Sequence, residues 1–291
     1  MARRAARANR RARRGMKAAV PRAGQPQPAA PRPRRDKGPG ATAARTPRVT
    51  LDGKVALVTG AGKRVGRAIA LALAEAGARV GVHYHRSAAE ARETIRAIRA
   101  AGGDAHSFRA DLSCVGEPMR LVSDVATHFG RLDVLVNSAA SMRRTPLARV
   151  RERDWDEVFA LNLRAPFFCS MAAVRAMGRR GGAIVNISDH MGFESWPDFV
   201  PHGVSKSAVA AMTRALAAAL APRIRVNAVA PGFVLAPEGY SAAKRRAFAR
   251  ATPLRRIGTP RDVAAAVVYL ATAPYVTGEV HFVDGGRHAT G

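Results

Sequence analysis

Short apolar runs rich in β-branched residues alternate with longer segments of helical periodicity from Leu51 onwards. Seven of these runs have the length and the flanking turn residues of buried strands. They are KVALVTG, RVGVHYH, DAHSFRADL, LDVLVNSA, GAIVNIS, IRVNAVAP and GEVHFV. Between them, apolar residues recur at intervals of three and four, which is typical of helices packed on a sheet.

The predicted helices are bounded by glycine signals near Gly77, Gly102 and Gly103. They cover VGRAIALALAEAGA, SAAEARETIRAIRAAGG, a segment ending near Phe129, residues 152–177, VSKSAVAAMTRALAAAL, residues 241–251 and RDVAAAVVYLAT. This alternation predicts an α/β protein with a single doubly wound parallel sheet, the Rossmann fold, and helices on both faces. Such sheets bind ligands at the carboxyl ends of their strands, so we expect functional residues just after each strand.

The first 50 residues have a different composition. They carry 15 basic side chains and one acidic side chain, a net charge of +14 out of +27 for the chain, and seven of its 18 prolines. With almost no large apolar residues, this segment cannot bury enough surface to offset the entropy of ordering. We therefore predict a disordered Arg/Pro-rich basic tail over residues 1–50 and one folded domain over residues 51–291.

The tail is open to several interpretations. A run such as RRAARANRRARRG would bind nucleic-acid phosphates without sequence preference. Arginine outnumbers lysine 42 to 6 in the whole chain, which also fits a global compositional bias. The segment has a faint similarity to an organelle presequence as well. Nucleic acid is therefore a candidate partner only through the tail.

Other features narrow the class of protein. No apolar run approaches the roughly 18 residues of a membrane span, so no membrane partner is expected. Cys114 and Cys169 have no CxxC partner, and no His, Cys, Asp or Glu residues have metal-ligand spacing, so we expect no metal. Two cysteines in 291 residues suit the reducing cytoplasm, where we expect the protein to be.

A glycine-rich turn, TGAGKRVG at residues 59–66, follows the first strand and opens the first helix. Free N–H groups and the helix dipole make such a turn an anion site, and glycine permits close approach of the backbone. The turn predicts a dinucleotide phosphate site. Its expected cofactor-binding residues are Gly60, Lys63, Arg64, Val65 and Gly66.

The end of the second strand, HYHRS, indicates which dinucleotide binds. A site for NAD would place a carboxylate there to bond the ribose 2′-hydroxyl, whereas this chain has His85, Arg86 and Ser87. A guanidinium suits a 2′-phosphate, and Arg64 adds a second cation. Alternatively, Arg86 could be an ordinary solvated charge. The absence of an acidic residue at this position nevertheless favours NADPH as the cofactor.

From residue 51 to residue 291 the chain resembles the short-chain dehydrogenases/reductases. The shared motifs are TGAGKRVG, ADL at 110–112, NSAAS at 137–141, Asn162, Lys206, PG at 231–232 and VDGG at 283–286. The resemblance implies an NADPH-dependent oxidoreductase that forms a homodimer or homotetramer. Lys206 would hold the nicotinamide ribose, and Asn162 would order a water of a proton relay. The residues implied to border the rest of the cofactor are Asp111, Leu112, Asn137, Ser138, Ala139, Pro231 and Gly232.

Within this family the chain looks most like the pteridine reductases. HYHRSAAEA at 83–91 matches them, and Asp189 stands where most relatives have the catalytic serine. Pteridine reductases stack the pterin on an aromatic side chain just after the NSAAS-type segment, where this chain has Met142. The family's proton donor is a tyrosine four residues before the lysine, and here that position is His202.

His202 and Lys206 are four residues apart, so a helix would place them on one face. Reduction of a carbonyl or imine group requires a proton for the heteroatom. Nearby cations would keep His202 neutral, whereas Asp189 within about 4–6 Å would favour the imidazolium. We therefore expect Asp189 and His202 to form a coupled proton donor that acts on a small-molecule carbonyl or imine substrate.

Two alternatives to this hypothesis stay open. The site could bind NADPH and catalyse little or nothing, and His202 could simply begin the helix after Pro201. His190 is expected to be an ordinary loop residue.

Overall fold

The computed structural model describes residues 50–236 and 239–290, so the predicted basic tail lies outside the described residues apart from Thr50. Seven parallel strands form one sheet in the order β3-β2-β1-β4-β5-β6-β7. This confirms the predicted fold class. The strands are β1 Val55–Val58, β2 Arg79–Tyr84, β3 Ala105–Arg109, β4 Val134–Asn137, β5 Gly182–Ile187, β6 Ile224–Pro231 and β7 Val280–Val283.

Helices cover both faces of the sheet. They are α1 Arg64–Glu75, α2 Ala88–Ala100, α3 Glu117–Phe129, α4 Glu152–Phe159, α5 Ala165–Met177, α6 Val200–Leu220, α7 Ala242–Ala251 and α8 Pro260–Thr272. Successive side chains of a strand point to opposite faces. In β1, Ala56 and Val58 therefore pack with α1 and α8, whereas Val55 and Leu57 pack with α3 and α5.

The sheet has its topological switch point at β1. This strand pairs with β2 on one side and with β4 on the other, so the chain builds the sheet outwards from β1 to β3 in one direction and from β4 to β7 in the other. Because all strands are parallel, their carboxyl ends lie along one edge, and the segments that follow them diverge at this point. The crevice expected to bind a ligand is therefore bordered by the segments after β1 and β4.

Two helices differ from the sequence prediction. The predicted helix over residues 152–177 is interrupted by a π-helical turn, Ala160–Arg164, between α4 and α5. Helix α6 begins at Val200, four residues before the predicted start at Val204. Its early start follows from Pro201, whose fixed φ suits the first turn of a helix.

The helical stretch Glu152–Arg180 is long and apolar enough to cross a membrane by length and composition, with a mean hydropathy of 1.2. The sequence analysis found no such stretch because charges interrupt its apolar runs. The α5 part packs against α3 and the sheet. A core helix of a globular domain has the same composition, so the stretch gives only weak support for a membrane partner.

Candidate active site

The glycine-rich turn after β1 is fastened to the neighbouring strands by His83, a residue that the sequence analysis did not select. The Gly60 N–H donates to His83 Nδ1 at 3.0 Å, so Nε2 carries the ring proton and donates to the Ala110 carbonyl at 3.1 Å. Burial lowers the pKa of His83 to about 4, although the bond to Ala110 opposes the shift. A neutral His83 therefore connects the carboxyl ends of β1, β2 and β3.

The turn itself has little room for side chains. Gly60 has a φ of +67°, and a side chain at Gly66 would collide with the Gly60 carbonyl. Arg64 also has a left-handed backbone, with a φ of +55°, and begins α1. The first N–H groups of a helix have no partner within it, so the start of α1 suits a phosphate group.

Unpaired cations surround this turn. Lys63, Arg64 and Arg86 are exposed, and within residues 50–236 and 239–290 none of their side chains forms an ion pair. Ser87 lies beside Gly62, where an added Cβ would come within 3.1 Å of the Ser87 Oγ. This corner therefore fits the phosphates of a dinucleotide, including a 2′-phosphate.

The other residues predicted at the adenine end interact with each other or with the core. His85 Nε2 lies 3.6 Å from Asp111 Oδ2, so this histidine faces the end of β3. Hydrogen bonds from Ser113 lower the pKa of Asp111. Leu112 is buried in the core, whereas Val65 is half-buried beside the turn.

The segment after β4 is held by Thr59, another residue that was not selected from the sequence. Thr59 Oγ1 accepts hydrogen bonds from the N–H groups of Ser138 and Ala139, at 2.9 and 3.0 Å. The Asn137 side chain points into the protein, where it donates to Asn186 Oδ1 at 2.8 Å. Asn137 therefore connects β4 to β5, and its amide group is not turned towards the crevice.

Asn162 lies in the π-helical turn, a distortion that is frequent at functional sites. Its Oδ1 accepts from the Ser141 N–H at 2.8 Å, and its Nδ2 donates to the Ser141 carbonyl and to Ser205 Oγ, both at 3.0 Å. These three bonds fasten the segment after β4 to α6. Asn162 thus fixes the backbone group that holds His202.

His202 is buried, and each nitrogen of its ring faces an oxygen atom. Nδ1 lies 3.1 Å from the Ser141 carbonyl, and Nε2 lies 3.5 Å from Asp189 Oδ2. The contact with Asp189 is too long for a good hydrogen bond, so Nε2 has a charged neighbour but no hydrogen-bond partner among the described residues. An imidazolium can donate at both nitrogens, which neutral imidazole cannot do.

Asp189 follows β5 and is the shared partner of two histidines. Its Oδ1 accepts from the Met191 N–H at 2.9 Å and lies 3.0 Å from His190 Nδ1. Burial opposes ionisation of Asp189, but its contacts with His190 and His202 outweigh burial and hold the pKa of the carboxyl well below its ordinary value. Asp189 is therefore an anion at neutral pH.

Lys206 lies one turn after His202 on the same buried face of α6, in agreement with the four-residue spacing. Its Nζ donates to the Ile187 carbonyl at 2.8 Å. Burial lowers the pKa of Lys206 to about 8, although the charge of Asp189 opposes the shift. Ser188 does not bond to Asp189, because its hydroxyl donates to the Lys206 carbonyl.

Pro231 and Gly232 border the crevice at the end of β6. A side chain at Gly232 would come within 2.6 Å of the Asp284 Cβ, so glycine allows β6 and β7 to end close together. The Pro231 carbonyl lies 3.1 Å from His190 Nδ1. His190 therefore lies in the short turn after β5, as expected of a loop residue, but it is buried against the end of β6. The sequence gives no sign of this, because the Pro231 contact is distant along the chain.

The geometry thus brings Asn162, Asp189, His202 and Lys206 together at the carboxyl ends of β4 and β5. A separate cavity of about 690 Å³ next to β7 contains none of them. We place the site by the four side chains, because they carry the chemical groups. Within the part of the chain that the structure describes, no three His, Cys, Asp or Glu residues are grouped to hold a metal ion.

Comparison with known proteins identifies the family of the chain. A family model described as enoyl-(acyl carrier protein) reductase matches residues 60–288. The chain belongs to the short-chain dehydrogenase/reductase family. Its curated relatives include the 3-oxoacyl-[acyl-carrier-protein] reductase FabG of Staphylococcus aureus, which is 38% identical over 241 residues, or 81% of this chain and 98% of the relative.

Solved structures of the same fold include two cofactor complexes. A blue fluorescent protein from a metagenomic library, in complex with NADPH, has a TM-score of 0.76 and 33% identity over 82% of this chain and 99% of its own. The angucycline C-6 ketoreductase LanV, with bound NADP, has a TM-score of 0.77 and 32% identity over 82% of this chain and 97% of its own. Both therefore match almost over their full length.

Proposed function

We propose that this protein is an NADPH-dependent reductase of a small-molecule carbonyl or imine group, with Asp189 and His202 as its coupled proton donor. One observation carries the proposal. The buried Nε2 atom of His202 has no hydrogen-bond partner among the described residues, and it lies beside an ionised carboxylate and one helical turn before a buried lysine.

The residues around the crevice fit the cofactor. The start of α1 and the cations at residues 63, 64 and 86 suit its phosphates, and two solved relatives hold NADPH and NADP. When bound, NADPH supplies the hydride. Lys206 would bind the nicotinamide ribose, and the backbone around Ala139 and Gly232 would border the ring.

The chain's own residues would supply the proton. The Ser141 carbonyl, to which Asn162 Nδ2 also donates, accepts from His202 Nδ1 and orients the ring, which leaves Nε2 as the atom that can donate to a substrate. Asp189 stabilises the charged ring by its negative charge. His202 Nε2 would then transfer its proton to the carbonyl oxygen or imine nitrogen of the substrate, and Asn162 would order the water that restores it.

The names of two relatives describe reduction of ketone groups, in a 3-oxoacyl chain and in an angucycline. A pterin remains a prediction from the resemblance, and Met142, which is half-exposed, occupies the position expected of the stacking aromatic side chain. A homodimer or homotetramer and a cytoplasmic location are likewise proposed.

The test follows NADPH oxidation by the purified full-length chain from pH 5 to pH 8. The panel contains ethyl acetoacetate, an acetoacetyl thioester, cyclic ketones and dihydrobiopterin. We expect the rate to rise towards acid pH, because imidazolium is the donor. In His202→Tyr this acid dependence should disappear, whereas in His202→Gln kcat should fall by about 10²-fold or more.

NADPH binding by each variant, measured by fluorescence, provides the control for folding. An unchanged pH profile in an active His202→Gln variant would show that the ring donates no proton. NADPH binding without turnover in the parent, with turnover gained in His202→Tyr, would instead identify a cofactor-binding module whose pocket is intact.

A further inference from the structure

The carboxylate of Asp189 is shared between two imidazole rings, and the proposed chemistry uses only one of them. Oδ2 faces His202 Nε2 at 3.5 Å, whereas Oδ1 lies 3.0 Å from His190 Nδ1. His190 is 6% exposed, which is too buried for an ordinary loop residue. Its position calls for an explanation beyond that of packing.

The surroundings of His190 restrain its ring on several sides. The Pro231 carbonyl of β6 and Asp189 Oδ1 both accept at Nδ1, so this nitrogen carries a proton. The Trp196 ring packs edge-on against the imidazole, with centroids 5.7 Å apart. Glu194, which pairs with Arg287 at 3.0 Å, adds a negative charge nearby.

On α6, His202 Nε2 lies 3.5 Å from Oδ2 of the same carboxylate, and the charge of Asp189 also acts on Lys206. Burial opposes protonation of His190, but Asp189 and Glu194 outweigh burial and raise its pKa. The negative charge of Asp189 therefore interacts with both histidines and with the lysine at the same time. A positive His190 leaves less of that negative charge to stabilise a proton on His202.

We infer that His190 is a positioning residue, which fixes Asp189 Oδ1 so that Oδ2 faces His202 and sets the pH at which His202 releases its proton. The inference rests on the proposed proton transfer by His202. By weakening the hold of Asp189 on the imidazolium, His190 makes His202 a stronger acid. The same bond prevents the carboxylate from rotating away from α6.

The test uses two variants that separate these effects. In His190→Asn the side-chain amide can take the place of Nδ1–H, so the donor to Asp189 is kept and the charge is lost. In His190→Phe both are lost. The titration of His202 is followed by NMR of the full chain labelled with ¹³Cε1-histidine, and the signal is assigned by its absence in His202→Gln.

We expect the His202 titration midpoint to rise by about one pH unit in His190→Asn, which is the usual effect of removing one nearby charge. The pH above which the rate of NADPH oxidation declines should rise with it. In His190→Phe kcat should fall further than in His190→Asn, because Asp189 is no longer held. An Asp189→Asn background should abolish the midpoint shift, since the carboxylate carries the coupling.

A His202 midpoint that is the same in the parent and in His190→Asn, with NADPH binding intact, would overturn the inference. This readout does not depend on turnover. If His202→Gln is fully active, the proposed proton transfer fails instead, and the NMR titration still decides whether the two histidines are coupled.

Discussion

Three buried histidines differ in their chemistry because their partners differ. His83 accepts from a backbone N–H, which requires a neutral nitrogen. His190 faces a carboxylate and a carbonyl, and both of these favour a proton on Nδ1. His202 has an oxygen atom opposite each nitrogen. The same side chain can therefore serve as an anchor, a positioning group or an acid within one crevice.

The neutral His83 makes the stability of the protein depend on pH. Its pKa in the folded protein is about 4, below the ordinary value of 6.5, so the unfolded chain binds more protons between these values. The free energy of unfolding should therefore fall by up to about 3 kcal/mol as the pH drops from 6.5 to 4. Urea unfolding at several pH values measures this.

The contribution of His83 is isolated by comparison with His83→Gln, which cannot titrate in this range. The variant should lose part of the pH slope, whereas His281→Gln, a half-buried histidine of β7, provides a control for loss of a histidine at a different place. Identical slopes in the parent and in His83→Gln would contradict the assignment of a neutral ring.

At the scale of elements, the candidate functional groups lie where helices begin or are interrupted. The start of α1 has N–H groups that suit a phosphate, the π-helical turn contains Asn162, and the first turns of α6 hold His202 and Lys206. Hydrophobic periodicity predicted these helices. It does not reveal a π-helical turn, because one extra residue in a turn hardly changes the pattern of apolar positions. The interruption after α4 therefore could not be predicted, although the resemblance identified Asn162.

Arg64 begins α1 in a backbone conformation that favours glycine. Replacing it by glycine therefore tests the role of its side chain in cofactor choice without adding backbone strain. Arg64→Gly should relieve strain and change the free energy of unfolding by at most about 1 kcal/mol, because glycine also loses more entropy on folding. Loss of the cation should weaken NADPH binding by about tenfold and leave NADH binding nearly unchanged. Fluorescence titration with both dinucleotides measures the difference.

Arg255→Gly is the matched control, because Arg255 has the same φ of +55° in another part of the chain. It should have a similar effect on unfolding and none on the preference between the dinucleotides. If Arg64→Gly weakened NADPH and NADH binding equally, the side chain would act on the loop and not on a 2′-phosphate.

At the scale of the whole molecule, the parallel sheet collects residues from distant parts of the chain. The strand pattern was sufficient to predict the doubly wound fold, and the resemblance predicted the four residues of the candidate site. The contacts of His83 and His190 were not predictable in this way. His83 depends on the carbonyl of Ala110, just after β3, and His190 on the carbonyl of Pro231, at the end of β6. Such pairings leave no periodic signal in the sequence.

The basic tail can be tested separately from the reductase. Deletion of residues 1–49 should leave NADPH affinity and the unfolding midpoint unchanged, because the predicted site lies within residues 60–232. Any binding of a DNA or RNA oligonucleotide should disappear, and in the full-length chain it should weaken steeply with salt. If oligonucleotide binding persisted after the deletion, the binding surface would lie in the folded part of the chain.

The strand order also determines when the sheet can be completed during synthesis. Val55 in β1 bonds to Asp133, 78 residues later, and the crevice is complete only when Gly232 has been made. At typical elongation rates, residue 232 follows residue 60 after roughly 10–30 s. Strand β2 pairs with β1 and β3, which are made soon before and after it, whereas β1 must wait for β4 on its other side, and such non-local pairing is slow. The edge of β1 that faces β4 therefore stays without its partner until β4 has been made.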